Sequence, residues 1–507
     1  MRSERFGENG RRSARGAPII AALILLLGIT GCAMTRPAAL PAPVIGDAHR
    51  ALLRVTVTRQ GHLFNRPWQQ QQPVTQLAIG VVVGDGQVLV NGLLVADQRY
   101  IELETLDTRR KAPAEVAVVD YEANLALLRP LDPLFLEGRR ALPLAGEVTV
   151  GDRLGVWQVR PGGDVVASEG PVTSVALGAY FQENHFLTYH LSASLPYRFN
   201  HITLPVVKGQ ALAGLVLRHN PAGQAVEVIA TPVIRHFLED AANAPYQGFP
   251  MGAFHYGPTL DPQLRRYIGL PEALSGVYVR KVIRGGPADQ AGMRAGDVVL
   301  RIGDHPLTNT GHFQHPRHGS TSLVHLIRTY YHVGDTVPFQ LFRDGAVLTV
   351  NVRLAHRRPE QYLVPPYVVD RAPEHLIVGG LVLQELSMSY LREYGSDWQS
   401  AAPIHLLYYQ QNQDYLDEDR REKIVIISSV IPTPYTIGYE TLSNIEVTAI
   451  NGRPIRKLAD VRPALAHPVD GFQRFELRQH PKLIFLDPAE LGLIDEMITQ
   501  RYGIAIP

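Results

Sequence analysis

Cysteine is almost absent from this chain: 507 residues carry one. An internal disulfide is thereby excluded, as is every zinc or iron–sulfur centre built on cysteines, so whatever this thiol does it does alone. Net charge is nearly absent too, since 49 Lys and Arg face 48 Asp and Glu, and no basic footprint for nucleic acid is present. Long hydrophobic runs are lacking except at residues 17–29, a stretch too short to cross a bilayer comfortably as a permanent helix. What is present is an apolar fraction of 45%, enough for real cores, in a length that suits about three domains.

Arg2, Arg5, Arg11, Arg12 and Arg15 precede that run, which ends in Ile29-Thr30-Gly31-Cys32. The pattern predicts an export signal over residues 1–31. Its end resembles the lipobox at which bacterial lipoproteins are cut, which implies a lipid on Cys32 and further acylation of the new amine. Several acyl chains on one residue make a stable anchor, where a single chain would be marginal. Ala33 stands where an aspartate would signal inner-membrane retention, so the implied location is the outer membrane, facing the periplasm. Residues 32–47, with Pro37, Pro41 and Pro43, are expected to form an extended tether. Loss of five arginines and two glutamates with the signal would take the chain from +1 to about −2.

Short apolar runs at residues 52–58, 77–83, 87–90, 100–104, 114–119, 125–128, 153–158 and 212–217, separated by turns such as Gly84-Asp85-Gly86, predict an antiparallel barrel or sandwich. In order and wording they resemble the protease domain of the HtrA/Deg family. Ala78-Ile79-Gly80-Val81-Val82-Val83 is similar to its Gly-rich hairpin, Asp120 to Leu128 to its Asp-x-x-x-Asp-Leu-Ala-Leu-Leu segment, and Leu212-Ala213-Gly214-Leu215 to the strand after the nucleophile. The resemblance implies a mainly β fold with α+β modules: a chymotrypsin-like double β-barrel over residues 48–242, followed by two PDZ domains. Serine catalysis needs a hydroxyl, an imidazole and an orienting carboxylate. On this alignment Leu93 occupies the histidine position, Asn124 the aspartate position, and Ile202, or Thr203 in a shifted register, the serine position. No catalytic residue is therefore assigned. His185, His190, Ser192, Ser194, His201 and Thr203 lie near enough in sequence, with Asp120 close to Asn124, to raise a relocated triad as the alternative.

Residues 246–357 carry Gly276-Val277-Tyr278-Val279 and then Gly286-Pro287-Ala288-Asp289-Gln290-Ala291-Gly292, followed by Gly296-Asp297-Val298-Val299. This resembles an HtrA-type PDZ domain. Proline suits a first helical turn and Gly292 its left-handed end. A second helix over residues 321–331 is predicted from Leu323, Leu326, Ile327 and Tyr330 at helical spacing. Such domains take a peptide as an added strand, with loop amides holding its terminal carboxylate. The expected loop is Met251, Gly252, Ala253 and Phe254, in preference to Tyr267-Ile268-Gly269-Leu270, because Asp261-Pro262 predicts a helix that Gly269 ends. Leu323 and Ile327 are the expected pocket wall. His305, His312, His315 and His318 invite a metal site, but Pro316 interrupts them and no cysteine is near; a solvated loop is expected, with no metal and no cofactor.

A second copy is implied over residues 358–507. Glu446-Val447-Thr448-Ala449-Ile450-Asn451-Gly452 echoes Val298-Val299-Leu300-Arg301-Ile302-Gly303-Asp304, and Gly380-Leu381-Val382-Leu383 echoes Gly276 to Val279. With Tyr390 to Gly395 and Tyr502-Gly503-Ile504 it is similar to the second PDZ of plant-type Deg proteins, which implies subunit contacts rather than peptide capture; no carboxylate loop is evident in it. The expectation is a non-catalytic, lipid-anchored scaffold or adaptor in envelope protein quality control. It would bind C-terminal or unfolded segments of envelope proteins, assemble as a trimer-based homo-oligomer and bind no nucleic acid. The alternatives are an active serine endopeptidase with a rearranged or partner-completed site, and an architectural protein whose groove its own chain fills.

Overall fold

A computed structural model describes residues 46–181, 184–195, 203–416 and 421–506. The export signal, Cys32 and nearly all of the tether lie outside them, as do His201 and Ile202.

Six strands close a first barrel: β1 (Leu52–Arg59), β2 (Val74–Val83), β3 (Gln87–Val90), β4 (Gln98–Thr105), β5 (Lys111–Asp120) and β6 (Leu125–Pro130), in the order β1-β2-β3-β6-β5-β4. A second closes from β7 (Arg153–Val159), β8 (Val165–Ala179), β9 (His185–Ser192), β10 (Pro205–Lys208), β11 (Ala211–Asn220) and β12 (Ala225–Ala230), in the order β10-β11-β12-β9-β8-β7. Closure removes free edges, and every second side chain can then enter the lumen. One continuous core runs through both barrels, from Leu53 and Ile79 to Phe186, Tyr189 and Leu215. All eight runs read from the sequence are strands; β8, β9, β10 and β12 were not among them. The polar and glycine content of β8 and β9 breaks up their alternation, and barrel closure rather than local pattern holds them. Helix α1 (Thr231–Ala241) follows, with a proline in its first turn and Val233, Ile234 and Phe237 buried.

The next module is a sheet of β13 (Phe254–Pro258), β14 (Val277–Val282), β15 (Val298–Ile302), β19 (Thr336–Arg343) and β20 (Ala346–Arg353), in that order, with β16 (His305–Pro306) beside β15. Helices α2 (Pro262–Tyr267), α3 (Pro287–Gln290) and α4 (Leu323–Tyr330) join it, and β17 (His312–His315) pairs with β18 (Gly319–Ser322). Asp261 accepts the Gln263 amide at the start of α2 and Gly269 has φ 66° just beyond its end. Gly276 must lack a side chain because a Cβ there would meet the Val299 carbonyl oxygen at 2.3 Å.

The histidine stretch departs from expectation. His305 lies on β16, and His312, His315 and His318 fall in the β17–β18 hairpin rather than a solvated loop; His315 is buried with its Nδ1 accepting the amides of Arg317 and His318. Phe313 and Tyr330 pack edge-on against His315, while His318 stacks on it at 4.3 Å. Burial pushes His315 and His318 down, and His325 on α4 to about 3, so these rings stay neutral near pH 7. Among the described residues no three His, Cys, Asp or Glu side chains gather as a metal site.

The last module orders β21 (His375–Val378), β22 (Leu381–Glu385), β23 (Val425–Val430), β24 (Ile445–Ile450), β26 (Gln473–Leu477) and β27 (Leu483–Leu486), with β25 (Arg453–Pro454) on β24. Between β22 and β23 an insertion carries α5 (Met388–Leu391), α6 (Trp398–Ala401) and α7 (Ile404–Asn412); α8 (Val461–Leu465) and α9 (Leu491–Tyr502) come later.

Candidate functional site

Leu93 lies in a short 3-10 turn after β3, and its amide donates to Asn124 Oδ1 at 2.8 Å. The two positions that the resemblance aligns with a catalytic histidine and aspartate are thus neighbours. Their chemistry is a backbone cap: the buried Asn124 side chain, on a residue with φ 55°, fastens the turn. Thr203 is 0% exposed, and its hydroxyl accepts the Asn91 amide at 3.1 Å. That hydroxyl holds the first barrel to the second. His185 opens β9 at the surface, and His190 lies half-buried along it with its carbonyl receiving the Thr173 hydroxyl.

A groove of about 540 Å3 opens between β13 and α4. Met251, Gly252, Ala253, Phe254, Leu323 and Ile327, all six residues expected at a peptide site, line it. β13 is the edge of its sheet, so one side of its backbone is free to pair. Just before it the Met251 amide is taken by the Ala355 carbonyl, whereas the Gly252 and Ala253 amides have no backbone acceptor among the described residues. Ala253 has φ 58°, and the carbonyls of Gly252 and Ala253 point back to the amides of Ala288 and Ile283. The loop is therefore tied down by its carbonyls while two amides stay available. Tyr267, in the competing segment, is 86% exposed at the end of α2 and does not line this groove.

Comparison with known proteins follows the same division of the chain. Models described as a PDZ domain match residues 259–354 and 364–507. Protease Do-like 2, chloroplastic, from Arabidopsis thaliana is 27% identical over 427 residues, covering 83% of this chain and 68% of the relative. Protease Do-like 4, mitochondrial, from the same plant is 23% identical over 400 residues, covering 78% of this chain and 72% of that one. Among solved structures the HtrA-type protease AlgW with decapeptide has 18% identity and a TM-score of 0.47, covering 62% of this chain and 98% of that chain. The chain carries two PDZ domains and is similar to proteases of the HtrA/Deg family.

Within this HtrA/Deg-like chain the two PDZ modules differ at one edge. The echo at residues 446–452 holds, since β24, like β15, pairs with a two-residue strand and a long neighbour. The other echo does not. Leu381 to Leu383, just after Gly380, begins β22, which stands where β13 stands, and it is β23 that corresponds to β14. Gly379-Gly380 is thus the counterpart of the Gly252-Ala253 loop, though no carboxylate loop was read there. The free edge it would serve is already filled, because β21 pairs along β22 from His375 opposite Gln384 to Val378 opposite Leu381. Leu376 and Val378 share a hydrophobic cluster with Val461, Ala464 and Leu465 of α8. The chain occupies its own second groove, whereas the corresponding edge of the first, β13, has no strand paired on its outer side among the described residues.

The sequence reading missed what surrounds the first groove. Leu177, Asn184 and His185 of the second barrel contribute to its wall, as do His255, Arg357, Tyr362 and Asp414 from its own edge strand, the inter-PDZ connection and the insertion. Behind it Arg328 Nη2 of α4 reaches Glu122 Oε2 at 3.2 Å and Asn184 Oδ1 at 2.8 Å, and its guanidinium sits 4.6 Å above Phe186. His356 Nε2 lies 3.3 Å from the other Glu122 oxygen. Burial alone would raise the Glu122 carboxyl, yet His356 and Arg328 hold it below its usual range. Asp120, bonded to the Tyr246 hydroxyl at 2.6 Å, goes the other way, raised by burial and by the Glu122 charge. No motif could have announced this cluster, because its members lie on separate modules.

Proposed function

We propose that this HtrA/Deg protein is a non-catalytic envelope lipoprotein whose first PDZ groove binds C-terminal or extended peptide segments, making it a scaffold or adaptor in protein quality control. The observation that carries the reading is the open β13 edge beside Leu323 and Ile327, with two unengaged amides at its head. A peptide can add as a strand there, bury an apolar end against α4 and place its carboxylate on those amides. The lack of catalysis rests on residue chemistry: leucine at 93 accepts no proton, and asparagine at 124 is spent on a backbone amide. Anchoring through Cys32 and residence at the outer membrane rest on the lipobox resemblance alone; Cys32→Ser should abolish incorporation of labelled fatty acid into the protein.

Fluorescence anisotropy with labelled octapeptides ending in valine tests the groove. The free carboxylate form should bind, amidation of its end should weaken binding at least about tenfold, and Ile327→Glu should abolish it. Equal binding of the free and amidated forms would show that chain ends are not what the groove captures.

A further inference from the structure

Strand addition to β13 makes the groove two-sided. Side chains alternate along a strand, and residues opposite each other on paired strands point to the same face. Phe254 and Tyr256 pack with the core that includes Leu323 and Ile327, so ligand residues level with them turn toward α4. His255 alternates to the opposite face. There the ligand would meet a second wall: His255 Nε2 lies 2.8 Å from Asp414 Oδ2, Arg357 Nη1 donates to Asp414 Oδ1 at 2.7 Å, and the Arg357 guanidinium lies 3.8 Å from the centre of the Tyr362 ring. Among the described residues Asp414 is the one carboxylate lining the groove, whereas Arg328, Arg357 and two histidines line it from the cationic side. Arg328 is matched from behind by Glu122. Arg357 is matched by Asp414 through a single nitrogen, and its Nε and Nη2 have no hydrogen-bond partner among the described residues.

We infer that Arg357, flanked by His255, selects an acidic side chain of the bound peptide at positions facing away from α4. With the terminal side chain turned to Leu323 and Ile327, those are the second and fourth residues from the ligand's end. A planar guanidinium stacked on an aromatic ring is pre-organised, and it can offer a carboxylate two parallel hydrogen bonds through Nε and Nη2 while Nη1 stays on Asp414. Asp414 holds Arg357 in place and also competes with the ligand for it.

This selectivity rests on peptide capture by the first groove, and the test separates the two. Octapeptides ending in a free valine, with Glu, Gln or Lys at the second and fourth positions from the end, are titrated against the full chain. The Glu peptide should bind about tenfold tighter than the Gln peptide, and the Lys peptide more weakly than either. Arg357→Gln should make Glu and Gln peptides equal while the Gln peptide keeps its affinity within about twofold, and Asp414→Asn should widen the Glu preference. If wild type binds Glu and Gln peptides equally, or the preference survives in Arg357→Gln, the selectivity is refuted and peptide capture stands. If no peptide binds wild type, both fall.

Discussion

Arg328→Met is expected to lower the unfolding free energy by about 3–5 kcal/mol, among the largest effects available from a single side chain outside the barrels' core. Arg328 is 8% exposed and Glu122 is 3% exposed, so neither charge can turn to water if its partner disappears. Methionine fills much of the volume but leaves the Glu122 carboxylate with only His356 at 3.3 Å. It also leaves the Asn184 Oδ1 acceptor unpaired and removes a cation from the face of Phe186. The group must then stay charged without adequate compensation or take a proton well above the usual carboxylate range. Urea unfolding measures the loss, and the double variant Arg328→Met/Glu122→Gln should recover much of it, because removing both charges removes the desolvation problem. A single variant within 1 kcal/mol of wild type, or a double variant no better than the single, would mean that the pair does not hold the first PDZ to the barrel.

The second large effect is an absence of turnover. Purified protein incubated with casein should release peptides no faster than buffer, since loss of triad members together costs about 10^6 in kcat. The reason is local. Leu93 has no proton acceptor, and the Thr203 hydroxyl is buried and already holds the Asn91 amide. Casein cleavage that a substitution at His190, His201 or Thr203 abolishes would reinstate the peptidase. Cleavage that survives those substitutions would point to a contaminant.

Much of the fold was legible because its signals are local. Eight barrel strands showed as short apolar runs bounded by turns, Asp261 and Gly269 marked both ends of α2, and Pro287 and Gly292 framed α3. The six groove residues were legible for the same reason: loop, edge strand and pocket helix each carry their own pattern. The histidine hairpin was misjudged because imidazoles read as polar, while packing against Phe313 and Tyr330 makes them part of an aromatic cluster. The second echo was misassigned by one strand because Gly-Val-Tyr-Val and Gly-Leu-Val-Leu have the same alternation, and alternation does not say which neighbour a strand pairs with.

The sequence by itself determined the chemistry available at each position: no imidazole at Leu93, an amide at Asn124, a single thiol at Cys32, and an apolar wall at Leu323 and Ile327. Tertiary structure alone decided which edge is open. β13 and β22 are equivalent strands, yet β21 folds back onto one and nothing among the described residues pairs with the outer side of the other. It also decided what faces the open edge, bringing Arg357, His255 and Asp414 together from different modules and setting Glu122 behind Arg328. Pairing and burial depend on which distant segments meet. Composition and periodicity act over a few residues, so they can name the parts of a binding site without saying which copy is free to use them.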